Sequence, residues 1–201
     1  MKDNLLYRIV RTIVGPIIKF LYRPIIIGAE NIPKDGRIIL AGNHKHNLDS
    51  LLLAISTKRQ VHFLAKKELT TGKFGFFIRG LGVIPVDRSK KNPDALEKAK
   101  EMLNEDRVIG IFPESTFNRT ADIIIPFKVG AVKMASETKT RIVPFAITGD
   151  YKIRKQRVKI EFLPPYVVNM DNIDKENKKL ESIVSELITK NRWKNGINGH
   201  Y

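Results

Sequence analysis

Between residues 25 and 165 the chain alternates short aliphatic runs with stretches of helical spacing, and this alternation constrains the fold more than any other feature. The runs "PIIIG", "RIILA", "QVHFLA", "GVIPV", "RVIGIF", "RIVPFAIT" and "VKIEFL" read as strands, rich in β-branched residues and bounded by turn residues. Between them, "DSLLLAISTK", "NPDALEKAKEMLNED" and "PFKVGAVKMASETK" read as helices, the second with Pro93 near its start. A last helix carries its apolar face on Leu180, Ile183, Val184, Leu187 and Ile188. Strands that alternate with helices predict an α/β fold: a mostly parallel central sheet flanked by helices. No repeat or linker interrupts the 201 residues, so one domain is expected over residues 25–195, preceded by a separate helix over residues 1–24.

That first helix, "LLYRIVRTIVGPIIKFLYRP", repeats apolar pairs at a step of four: Leu5 and Leu6, Ile9 and Val10, Ile13 and Val14, Ile17 and Ile18. Arg8, Arg11, Lys19 and Arg23 interrupt them, and Gly15-Pro16 marks an expected kink. A basic amphipathic helix of this kind suits a membrane interface, and it equally suits packing on a core. No run of 18 uninterrupted apolar residues occurs, and no small-residue cleavage site follows the apolar stretch, so neither a spanning helix nor a signal peptide is expected. The segment "KFGFFIRGLG", Lys73 to Gly82, mixes aromatic residues with Arg79 and reads as a second membrane contact, a groove lining or ordinary core.

Charge narrows the partners. Thirty-six Lys and Arg against 21 Asp and Glu give a net charge of +15, which attracts anionic lipid, phosphorylated ligands or nucleic acid. The basic residues are dispersed, and no helix-turn-helix, zinc-finger or RNA-binding signature accompanies them, which argues against nucleic acid. The absence of cysteine excludes disulfides, zinc–thiolate sites and thiol nucleophiles.

The chemistry concentrates in "AGNHKHNLDS", Ala41 to Ser50, where two of the four histidines sit between apolar runs. His44 and Asp49 are five residues apart, which on one straight helix would point them in different directions. They meet only if His44 lies in the loop and Asp49 at the start of the next helix, an order the sequence supports. Asp49 would then accept the N–H of one imidazole nitrogen and leave the other to take a proton. Without a Ser or Cys partner, such a pair points to activation of a substrate hydroxyl. Two other readings stay open: Asp49 as the N-cap of its helix with the histidines as loop residues, or a metal held by His44, His46 and Asp49.

Several blocks in fixed order resemble the glycerolipid acyltransferase family. "NHKHNLDS" resembles its Asn-His-x4-Asp block, "FLAKKEL" the segment that follows, and "FGFFIRGLGVIPVDR" the second block, which ends in Asp-Arg. "IGIFPESTFNR" resembles the third, "PFKVGA" the Phe-Lys-x-Gly segment, and "IVPFAI" the fourth. Together they span about residues 25–165. The resemblance implies a general-base mechanism. His44, oriented by Asp49, would activate the free hydroxyl of a lysophospholipid such as 1-acyl-sn-glycerol-3-phosphate, which attacks an acyl thioester. The donor would be acyl-CoA or acyl carrier protein, the product phosphatidic acid for phospholipid synthesis, with no bound cofactor or metal.

The resemblance also implies that Lys66 and Arg88 hold phosphate and that Glu114, Ser115, Thr116 and Arg119 line the acceptor site. In the third block Ser115 replaces a glycine, which matters where φ is positive, and Phe117 replaces an arginine of the family pattern. The headgroup of the acceptor therefore stays open between lysophosphatidic acid and another lysolipid or hydroxyl or amine acceptor, and a catalytically silent lipid-binding relative is the further alternative. Membrane lipids as substrates imply a peripheral or monotopic protein on the cytoplasmic face of the cell membrane, docked through the N-terminal helix.

Overall fold

The computed structural model describes residues 4–71, 75, 78, 81–86, 93–155 and 157–197. A seven-stranded sheet forms the centre, built from β1 (Ile25–Ile27), β2 (Ile38–Gly42), β3 (Val61–Lys66), β4 (Ile84–Val86), β5 (Val108–Ile111), β6 (Ile142–Thr148) and β7 (Lys159–Phe162), in the order β1-β7-β6-β2-β5-β3-β4. Every neighbouring pair is parallel except β6 and β7. The expected mostly parallel sheet is therefore present. The exception follows from a short connection, which turns the chain back beside the strand it has just left.

The two faces of β2 feed two cores. Ile38 and Leu40 pack with Leu52 and Leu53 of α2 (Asp49–Ile55) and Ile18 of α1 (Leu5–Tyr22). Ile39 and Ala41 point the other way, into a cluster completed by α4 (Pro93–Asn104), α5 (Gly130–Glu137) and α6 (Ile173–Ile197). Between α2 and α4 lies the short α3 (Lys67–Thr71). Helices thus cover both faces of the sheet, as a continuous hydrophobic strand such as "IILA" requires. Leu180, Val184, Leu187 and Ile188 of α6 are buried, while Ile183 is only partly covered.

Helix α1 runs from Leu5 to Tyr22 as one helix with Pro16 inside it. Asn4 caps its start by accepting from the Leu6 N–H, and Arg23 ends it in a left-handed conformation. The helix has two apolar faces. Tyr7 and Ile18 are buried against the domain, whereas Leu5, Ile9, Ile13, Ile17 and Phe20 form an exposed stripe, with Leu5 at 68% and Phe20 at 63% exposure. Packing on the core and an outward apolar surface are therefore not alternatives for this helix.

Most of the segment 72–80, including Phe74, Phe76, Phe77 and Arg79, lies outside the described residues, as does Arg88. No described helix is long and apolar enough to cross a membrane.

Candidate active site

The strands β2, β3, β4, β5 and β6 run parallel, so their C-terminal ends open onto one edge of the sheet. Loops at that edge are where open α/β sheets gather ligand-binding residues. His44 follows β2, Lys66 ends β3, and the segment Glu114 to Arg119 follows β5. Lys66 stands in register with Val86 at the end of β4, two residues before Arg88.

The geometry of the His44 loop is set by its neighbours. Gly42 lets β2 approach β6 closely, since a Cβ there would lie 2.2 Å from the carbonyl oxygen of Phe145. Buried Asn43 then continues the ladder with its side chain: its Nδ2 donates to the Ile147 carbonyl (2.9 Å) and its Oδ1 accepts from the Ile147 N–H (2.7 Å). The chain can therefore leave the sheet at His44 without stranding the last groups of β6.

Asp49 is fully buried and its carboxylate collects four donors. Oδ2 accepts from His44 Nδ1 at 2.9 Å, from the Lys45 N–H at 2.7 Å and from the His46 N–H at 2.8 Å. Oδ1 accepts from the Tyr151 hydroxyl at 2.7 Å. A carboxylate can only accept, so Nδ1 of His44 carries the proton and the imidazole is held in one tautomer. Asp49 opens α2, but the cap position is Leu48; the Asp49 side chain turns back to the loop and does not serve as the N-cap. His46 does not join His44 around a common ion. Its Nδ1 accepts from the Leu48 N–H at 3.2 Å, and its ring stacks on Tyr151 with centroids 4.7 Å apart. Among the described residues no group of three His, Asp or Glu side chains is arranged to hold a metal.

The loop after β5 supports His44 from the other side. Phe112 stacks on the imidazole at 4.0 Å and 13°, and Phe117 leans against it at 4.4 Å and 58°. Buried Glu114 accepts from the His44 N–H through Oε1 (2.8 Å) and from the Ile125 N–H through Oε2 (2.9 Å). The Asn118 N–H closes the frame on the His44 carbonyl (2.9 Å). Ser115 sits at φ 59°, the left-handed region in which a glycine is at ease and an L side chain is strained. Ser115 is half-buried, whereas Thr116 and Arg119 are exposed at the rim.

An apolar groove with roughly 570 Å³ of open space runs between α1 and α2, lined by Val10, Val14, Leu51, Ile55, Phe63 and Val83 among others. Phe63 lies parallel to Phe112 at 6.3 Å, and Phe112 carries the His44 ring. One aromatic row thus links the groove to the histidine.

A family model described as acyltransferase matches residues 23–148, which include His44, Asp49 and the whole loop after β5. The chain belongs to the acyltransferase family. Its relatives in that family include the 1-acyl-sn-glycerol-3-phosphate acyltransferase of Borreliella burgdorferi, 36% identical over 178 residues that cover 83% of this chain and 70% of the relative. The enzyme of the same name from Bacillus subtilis is 34% identical over 126 residues, covering 62% of each chain. The match thus spans under two thirds of the Bacillus enzyme's length. The crystal structure of the 1-acyl-sn-glycerophosphate acyltransferase PlsC from Thermotoga maritima superposes with a TM-score of 0.74 over 92% of this chain and 79% of that one; at 23% identity the likeness is one of fold.

Within this acyltransferase fold, Glu114 spends both carboxylate oxygens on backbone N–H groups, so its place is behind His44 rather than at an open acceptor surface. Burial pushes its carboxyl above the usual range, and the two N–H donors pull it partly back. Glu114→Gln should lower stability by about 1–3 kcal/mol, because an amide cannot accept at both ends. The sign of the pH effect follows from the raised folded value. The carboxyl's linked stability is present below its unfolded value and lost as pH rises through the folded one. Wild-type stability in urea should therefore carry a component that declines from acidic to neutral pH, and the Glu114→Gln deficit is read at neutral pH, where both carboxylate oxygens accept.

Three contributors to this site, Phe112, Asn118 and Tyr151, were assigned no role from the sequence, and Asn43 entered only as the first residue of its block. Phe112 had a signal, since it directly follows a strand that ends at the third block. Tyr151 had none, being 102 residues from the carboxylate it holds.

Proposed function

We propose that the protein acylates the free hydroxyl of 1-acyl-sn-glycerol-3-phosphate from an acyl thioester, giving phosphatidic acid. The observation that carries this reading is the His44–Asp49 pair: a partly exposed imidazole whose Nδ1 is committed to a fully buried carboxylate. That commitment leaves Nε2 to act as general base. It takes the acceptor's hydroxyl proton while the oxygen attacks the thioester carbonyl. Collapse of the tetrahedral species forms the ester and breaks the C–S bond, and the proton passes to the departing thiolate. Asp49 stabilises the imidazolium that forms between these steps. The names of the relatives support lysophosphatidic acid as acceptor.

Lys66, Arg88, Thr116 and Arg119 are the residues we assign to the acceptor, with Ser115 shaping the loop that carries two of them. Cations suit phosphate through charge-assisted hydrogen bonds. The apolar groove beside α1 is our site for an acyl chain, since each CH₂ removed from water is worth roughly 0.8 kcal/mol. The donor is acyl-CoA or acyl carrier protein, both of which suit a +15 surface.

Phe117 favours a second reading. It rests on the imidazole where the family pattern has an arginine, and so offers an apolar wall in place of a phosphate ligand. An acceptor without a phosphomonoester would fit that wall. Purified protein on liposomes, supplied with each donor in turn and with lysophosphatidic acid or with neutral and zwitterionic lysolipids, separates the two. Phosphatidic acid as the dominant product supports the first reading; acylation confined to the other lysolipids supports the second.

Both substrate and product lie in a membrane, and the exposed stripe of α1 suits docking at its cytoplasmic face with Arg8, Lys19 and Arg23 near anionic headgroups. Replacing Ile9, Ile13 and Ile17 together by Ser should weaken binding to anionic vesicles at least about tenfold, as the lost burial of even part of each side chain is worth roughly 1 kcal/mol. Co-sedimentation reads that loss. An unchanged melting temperature is expected because the stripe faces away from the core.

A further inference from the structure

Asp49 has two oxygens, and the pairing with His44 accounts for only one of them. Oδ1 is held by Tyr151, which lies on the loop between β6 and β7. The ring of Tyr151 stacks on His46 at 4.7 Å and meets the edge of Tyr22, the last residue of α1, at 5.6 Å and 84°. The same loop grips α1 again three residues on. The Arg154 N–H donates to the Leu21 carbonyl (3.2 Å), and the Arg154 guanidinium lies 4.5 Å over the ring of Phe20. At its start the loop is fastened to the histidine loop, where Lys45 Nζ reaches the Gly149 carbonyl and the Asp150 carboxylate (3.1 Å).

We propose that Tyr151 is a positioning residue, which fixes the Asp49 carboxylate through its hydroxyl and ties that carboxylate to the C-terminal end of α1. The inference rests on the assignment of His44 and Asp49 as the reacting pair. Three N–H donors crowd Oδ2, and one hydroxyl holds Oδ1. Without that hydroxyl Oδ1 loses the donor that opposes the three on Oδ2, and the plane in which the carboxylate meets the imidazole is held from one side alone. Burial, followed by the charge of Asp49, raises the phenol's pKa, so the group stays a donor across the working pH range. Tyr22 buttresses the ring from α1, whose neighbouring residue Phe20 belongs to the exposed stripe. A shift of α1 at a lipid surface is thus mechanically connected to the carboxylate behind His44.

Tyr151→Phe keeps both ring contacts and deletes only the donor. It should lower kcat about tenfold, with KM for donor and acceptor within about twofold, because the loss is one of proton-transfer geometry. In an Asp49→Asn background the same change should cost less than about twofold, since the effect passes through the carboxylate. Tyr22→Leu should lower kcat several-fold in the wild type and have little effect beside Tyr151→Phe. Should Tyr151→Phe melt below the assay temperature, Tyr22→Leu carries the test. Unchanged kcat in Tyr151→Phe, or equal losses with and without Asp49, would overturn the positioning role. Unchanged kcat in Tyr22→Leu would overturn the tie to α1. His44→Ala run beside them keeps the two levels apart. Full turnover in that variant would sink the assignment of the reacting pair, whereas loss in His44→Ala with none in Tyr151→Phe would sink only this inference.

Discussion

Replacing His44 by alanine leaves a folded protein that transfers acyl groups on the order of 1,000-fold more slowly than the wild type. Both halves of that expectation come from the environment of the ring. The imidazole is partly exposed and is pinned by Phe112, Phe117 and Asp49, of which Phe112 and Asp49 have further partners of their own. Asp49 keeps the Lys45 and His46 N–H groups and the Tyr151 hydroxyl when the ring is gone. The main-chain N–H of residue 44 still reaches Glu114. Stability should therefore fall little, which a thermal melt will show. In the proposed reaction turnover loses its base, and positioned proton transfer contributes roughly a hundred- to ten-thousandfold. Product formation under saturating substrates measures the second half.

Asp49 should behave differently, because its carboxylate holds the loop together and, in the proposed reaction, also orients the base. Asp49→Ala strands the N–H groups of Lys45 and His46 and the Tyr151 hydroxyl around a buried cavity. An orphaned group costs about 1–3 kcal/mol according to its burial, so a loss of at least roughly 3 kcal/mol in urea denaturation is expected. Asp49→Asn separates the two tasks. Its amide oxygen can take the place of Oδ2, and its NH₂ can face Tyr151, whose hydroxyl turns to accept. The fold should hold while the charge that stabilises the imidazolium is gone. We expect turnover to fall about a hundred- to ten-thousandfold with only a small shift in the urea midpoint.

The strand–helix alternation was legible because central strands such as β2 are continuous aliphatic runs, with both faces buried, while β7 shows itself by alternation, Lys159 and Glu161 against Ile160 and Phe162. The His44–Asp49 pairing was legible because the spacing excludes a shared helix and leaves the loop as the only meeting place. The rest depended on contacts distant in sequence. Tyr151 reaches Asp49 from a loop that the β6–β7 turn brings back, and no local pattern marks a tyrosine for that task. Glu114 matched its family block, yet its part in holding two backbone N–H groups emerges only once β5 lies beside β2. Asp49 carried an N-cap signature at the start of α2, but the cap fell on Leu48, because the carboxylate had better partners in the loop behind it. Helix α1 showed its step of four plainly. That its apolar residues divide between a buried and an exposed face is settled by where α2 packs.

In the proposed reaction His44 acts only as a base and forms no bond to the acyl group, so the acyl chain passes directly from thioester to acceptor. The most direct test is thiol release from the acyl thioester, followed in real time with and without lysophosphatidic acid in anionic vesicles. Under direct transfer thiol appears only when acceptor is present, in step with phosphatidic acid and mole for mole. A burst of thiol without acceptor, matched to the enzyme concentration, would contradict it by showing an acyl-enzyme, and so would the absence of any acyl transfer from folded, vesicle-bound protein.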